Sequence, residues 1–157
     1  MLVLNAQGQV KVYAQELRVR TEPGPSFVDL TGAVRAFVSE SGVKHGLVTI
    51  FARHTTAAIR INENEPLLLE DLKRFLNQCA PPNASYEHDD LYRRGDVPMD
   101  EPKNAHSHCQ HMLLGASETI PVVNGQMPLG KWQSIFLVEL CSGRERNVLM
   151  QVIGSGD

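Results

Sequence analysis

The 157-residue sequence predicts an α+β fold in one domain spanning residues 1–157, and three observations carry that expectation. Several short segments alternate apolar and polar residues as strands do, most of them late in the chain. Three others repeat apolar residues at helical spacing, and strands are not regularly interleaved with helices as in a parallel α/β fold. The length and the 42% apolar content suit a single globular core.

Val10 to Val19 alternates well enough for a strand, and TEPGPS supplies the turn after it. In SFVDLTGAVRAFVSESG, residues Phe27, Leu30, Val34, Phe37 and Val38 share helical spacing, with Ser26 as the expected cap and Gly42 as the C-terminal stop. GLVTIFA (46–52) and AAIRI (57–61) read as strands broken by R-H-T-T. Asn64 and Pro66 then mark a helix with an apolar stripe of Leu68, Leu72, Phe75, Leu76 and Cys79. Glu70 and Arg74 are spaced for an exposed pair, and the helix stops by Pro81 and Pro82. PKNAHSHCQHMLL predicts a third helix burying Ala105, Cys109, Met112 and Leu113, and GASETIPVV, SIFLVEL and NVLMQVI complete the strands.

More than twenty residues between Ala80 and Pro102 lack periodicity, a length that marks a functional loop inside a compact domain. Four of the six histidines lie in residues 86–112. As a strand, His106 and His108 would share one side and could chelate a metal. As a helix they diverge, His108 borders the buried face, and His111 points to solvent. The helix has the better stripe.

The formal charge of -3 and the absence of a basic stripe argue against nucleic acid. No apolar run is long enough to cross a bilayer, and the first residues lack an export signal, so a cytoplasmic protein is expected. Cys79, Cys109 and Cys141 are too scattered for a disulfide framework or a zinc knuckle.

His54 sits where the strand break can present an imidazole with the hydroxyls of Thr55 and Thr56. His88 adjoins Asp89 and Asp90, which can orient a ring or serve a divalent cation. Asn62 and Glu63 precede a helix, where capping is the ordinary role. Trp132, the single tryptophan, can wall a pocket. Glu139 places one carboxylate on the otherwise apolar face of Ile135 and Leu137, so it needs a partner from an arginine, a histidine or a neighbouring subunit.

The chain resembles the small, uncharacterised YjbQ-like family, often labelled secondary thiamine-phosphate synthase, over almost its whole length. The resemblance lies in H-T-T-A with N-E-N at 54–64, Y-E-H-D at 86–89 and N-A-H-S-H at 104–108. It continues in L-L-G-A-S with P-V-V at 114–123 and in G-K-W-Q-S with Glu139. It implies an α+β fold with a β-sandwich-like body, assembled as a homotrimer with the site near subunit contacts. His54, His88 and His108 fall on the family's histidine positions; His106 and His111 do not.

The implied chemistry joins a pyrimidine pyrophosphate to a thiazole phosphate, with release of pyrophosphate, as a secondary activity. In that reading His54, His88 and His108 hold a divalent metal, zinc or magnesium, or donate to the substrate. Asp89 and Glu139 join them as catalytic candidates. Thr55, Thr56, Ser117 and Lys131 contact phosphate, with Asn62, Glu63 and Trp132 also facing substrate. No glycine-rich phosphate loop supports the assignment independently. Two other readings stand beside this transferase: a metal-dependent hydrolase using an open zinc position, and a non-catalytic ligand-binding protein whose histidines hold the long loop in place.

Overall fold

The computed structural model describes residues 9–95, 97–98 and 100–156. Residues 1–8, part of the stretch read above for an export signal, lie outside it, as do Asp96 and Met99 of the long loop. Seven strands form two antiparallel sheets among the described residues. The larger orders β1 (Lys11–Arg20), β7 (Glu145–Ser155), β3 (His45–Ala52) and β5 (Ser117–Val123). The smaller orders β2 (Ser26–Asp29), β6 (Gln133–Glu139) and β4 (Ala57–Glu63). The helices are α1 (Thr31–Ser41), α2 (Pro66–Cys79), the single turn α3 (Leu91–Arg94) and α4 (Ala105–Leu114), with a 3-10 turn at Glu87–Asp89.

Alternation decides which side each strand buries. Val48, Ile50 and Ala52 of β3 and Val148, Met150 and Val152 of β7 point between the sheets, where they meet Ile135 and Leu137 of β6. Val34, Phe37 and Val38 of α1 join this core. The small sheet is covered on its other side too. Ala58, Phe136 and Val138 turn away from the main core and pack with Leu76 of α2, which explains the unbroken apolar run of β6. At one end of the large sheet Gly46 faces Gly154 across the β3–β7 ladder, and a Cβ on either would stand about 2 Å from a carbonyl oxygen of the other strand.

The helix expected from Ser26 begins at Thr31. Ser26–Asp29 instead pairs with β6, because Phe27 sets its ring edge-on against Phe136 at 5.7 Å, a contact that strand geometry provides. Gly42 ends α1 with φ 67°, as expected. Glu65, not Asn64, caps α2, accepting the amides of Leu67 and Leu68, while Asn64 donates to Asp29. The exposed pairs on α2 are Glu70 with Lys73 and Asp71 with Arg74.

The phase of α4 differs from the one its apolar residues predict. The helix forms, but Cys109, Met112 and Leu113 face outward, and its buried residues are Ala105, Ser107 and Gln110. The buried polar side chains bond main-chain carbonyls. Ser107 Oγ donates to the Leu140 carbonyl, and Gln110 Nε2 donates to those of Leu76 and Ala80 at 3.1 and 3.2 Å. Turning the helix this way puts His108 and His111, three residues apart, on the same flank. No described helix is long and apolar enough to cross a membrane.

Candidate functional site

The site begins where β3 gives way to β4. The Arg53 amide donates to the Asn147 carbonyl at 3.3 Å, extending the ladder by one bond. The Asn147 amide, which a regular antiparallel pair would return to a strand carbonyl, donates to His54 Nε2 at 2.8 Å. A side chain has taken the place of main chain. The imidazole is thereby fixed at the start of β7.

Beside it lies a buried ion pair between the two sheets. Arg146 Nε donates to Glu139 Oε2 at 2.6 Å and Nη2 contacts Oε1; both side chains are almost completely enclosed. Thr21 Oγ1 and the Cys141 amide donate to the same carboxylate at 2.8 and 2.9 Å. Burial pushes the Glu139 carboxyl upward, but Arg146 and these donors outweigh it and hold the group below the ordinary carboxylate range. The partner that the sequence demanded is therefore Arg146 of the same chain. Glu139 has no exposed surface and cannot touch a ligand. It positions Arg146, whose Nη2 also reaches Thr56 Oγ1 at 3.1 Å.

Arg146 forms part of the wall of an open cavity of about 730 Å³, together with Arg53, His54, Thr55, His108, His111 and Arg144. Among the described residues Arg144 meets no carboxylate; its guanidinium donates to the Ser142 carbonyl and hydroxyl and to Cys141 Sγ. Burial first, then Arg146, pushes His54 below the ordinary histidine range. Burial also lowers His108, with His88, His111 and Arg94 adding to the effect and Glu101 opposing it, and burial lowers His111. The cavity therefore combines fixed guanidinium charge with neutral imidazoles.

His88 stands behind His108, their rings edge to face with centroids 4.8 Å apart. Asp89 does not address the cavity. Its Oδ1 accepts the Ala105 amide at 3.0 Å and caps α4, whose own N-cap Asn104 makes no side-chain cap. The long loop is knit by Arg93 with Asp90, Arg94 with Glu101, and Tyr86 with the Pro81 carbonyl.

The expected trio of His54, His88 and His108 is brought together only in part. His54 and His108 share the cavity and His88 touches His108, but Nε2 of His54 already accepts an amide proton. His88 Nε2 and His111 Nε2 are enclosed without a partner. Among the described residues no three His, Cys, Asp or Glu side chains converge as a cation cage.

Thr55 is exposed on the cavity wall, and Thr56 is buried against Arg146. Ser117 opens β5 opposite Phe51, next to the wall residue Ala116. Four other candidates lie elsewhere. In the β4–β6 register Ala57 faces Glu139, whereas Glu63 faces Gln133, so Asn62, Glu63, Lys131 and Trp132 occupy the far end of the small sheet. That end is about 20 Å away along the strand. There Lys131 Nζ sits over the exposed Trp132 ring at 4.5 Å.

Sequence reasoning missed Arg53, Arg144 and Arg146 and placed His111 in solvent, where the structure has it half-buried on the cavity wall. One signal was available. Arg146 shares strand parity with Val148 and Met150, so an arginine was bound for the same interior as Glu139.

A family model described as UPF0047 protein YjbQ-like matches residues 15–155. A UPF0047 protein from Methanothermobacter thermautotrophicus is 41% identical over 145 residues, 92% of this chain and 94% of that relative. The UPF0047 protein YugU of Bacillus subtilis is 32% identical over 88% of this chain and 97% of its own length. A crystal structure of a YbjQ-like protein of unknown function from Sulfolobus solfataricus superposes with a TM-score of 0.84. It is 36% identical, covering 94% of this chain and all of that one.

Proposed function

The chain belongs to the YjbQ-like UPF0047 family, and from that premise we propose that it is a small homotrimeric enzyme acting on a phosphorylated small molecule in the cavity beside His54 and His108. The observation that carries the reading is the meeting of Arg144, which lacks a carboxylate partner among the described residues, with imidazoles held neutral. Guanidinium groups are matched to phosphate oxygens, and a neutral imidazole accepts a proton near neutral pH.

In a coupling reaction of the thiamine-phosphate type, the thiazole nitrogen forms the new C–N bond with its own lone pair as the C–O bond to pyrophosphate breaks, so the nucleophile releases no proton. Arg53, Arg144 and the Thr55 hydroxyl hold the leaving pyrophosphate and His108 adds an imidazole N–H to it, whereas in hydrolysis His108 takes the proton of the attacking water. Trimer formation is supported by the outer face of the large sheet, where Val12, Ile153 and Leu47 are exposed and adjacent across three strands.

Phosphorus NMR of the protein with a set of phosphate and pyrophosphate esters tests the reading. Conversion is expected, with His108→Ala slower by about a hundredfold or more. Pyrophosphate release marks coupling and inorganic phosphate marks hydrolysis. A second reading, ligand binding without turnover, is favoured by His88 and Asp89, which do hold the loop against α4. It is identified by an ester that is retained unchanged. Neither conversion nor retention of any ester would refute both.

A further inference from the structure

We propose that His54 serves the cavity as a fixed hydrogen-bond donor, its proton on Nδ1, directed at an oxygen of the bound anion. A backbone amide only donates, and the Asn147 amide reaches His54 Nε2 at 2.8 Å, so Nε2 must offer its lone pair. A neutral imidazole carries one N–H, which is then on Nδ1. Turning the ring over would set a carbon against the amide and orphan it inside the sheet.

Nδ1 has no protein partner among the described residues, and His54 lines the cavity between Arg53 and Thr55. A donor there adds to the guanidinium groups of Arg53 and Arg144. It also removes His54 from two other roles, because an Nδ1–H imidazole whose Nε2 is occupied neither accepts a substrate proton nor ligates a metal through Nε2. Proton acceptance falls to His108 and His111, which line the same cavity from α4. The ligand half of this inference rests on the phosphate reading above; the place of the proton does not.

Nitrogen-15 NMR of the imidazoles in the wild-type protein tests the proton directly. A protonated Nδ1 and an unprotonated Nε2 at His54 are expected, and the reverse pattern overturns the inference. Calorimetric titration with inorganic pyrophosphate tests the ligand. His54→Asn keeps an N–H near the Nδ1 position, whereas His54→Gln can still accept the Asn147 amide but offers no donor there. Binding should weaken about tenfold in His54→Ala and His54→Gln and stay within about threefold in His54→Asn.

Rescue by Gln and not by Asn would show a merely structural histidine and overturn the donor role. Equal affinity across all variants overturns it as well. If wild-type protein ignores pyrophosphate while the Nδ1–H form is observed, the phosphate reading and the anion contact fall together, and only the proton's position survives.

Discussion

The His88 and His108 rings meet edge to face, their centroids 4.8 Å apart, although twenty residues separate them in the chain. One comes from the 3-10 turn of the long loop and the other from the cavity-facing flank of α4. A proton on His108 is opposed by burial and by His88, His111 and Arg94, with Glu101 alone favouring it.

Stability should therefore fall in mild acid. A histidine lowered in the folded state supports the fold above its unfolded value of about 6.5 and loses that support as pH drops through its folded value. Urea unfolding at pH 7.5 and 5.5 is expected to show the loss, and His108→Gln should flatten it. An unchanged slope in that variant would contradict the assignment.

The Glu139–Arg146 pair acts on the same principle with a carboxylate. Its lowered folded value means that its stabilisation is present above the unfolded value of about 4.3 and disappears as pH falls further. Glu139→Gln leaves Arg146 buried and uncompensated, so a loss of about 3 kcal/mol is expected in denaturant unfolding at pH 7. A loss below about 1 kcal/mol would mean that water reaches the guanidinium.

Asp89→Ala should cost about 1 kcal/mol, the usual size of a lost cap, and should speed amide exchange at Ala105. Exchange at Ala105 matching wild type would show that another group caps α4.

Leu47→Lys places a charge in the exposed apolar row of the large sheet, and the proposed trimer should dissociate on sedimentation. Wild-type sedimentation as a monomer, or a Leu47→Lys protein that remains trimeric, would move the interface elsewhere or abolish it.

The strands were legible wherever one side is core and the other is not. NVLMQVI alternates because Val148, Met150 and Val152 enter the interior. Alternation also revealed that Glu139 needed a counter-charge. The phase of α4 was not legible, because its buried side carries Ser107 and Gln110 as partners for neighbouring carbonyls, and its apolar residues face outward. Hydrophobic periodicity cannot recognise a polar side chain buried to complete another segment's hydrogen bonds.

The candidate site was half legible. His54 and His108 line one cavity. Asn62 and Glu63 are near His54 in sequence, but extended chain carries them to the other end of the sheet. Arg144 and Arg146 were overlooked because R-E-R beside a turn looks like surface charge until Arg146 is placed in phase with Val148 and Met150 on β7.

The outward side of α4 sets Met112, 85% exposed, next to the exposed thiol of Cys109. Dilute peroxide converts an accessible thioether to sulfoxide and spares a covered one. The helix thus carries a built-in footprinting probe, and the mass gained by its tryptic peptide would report whether another surface shields it in solution.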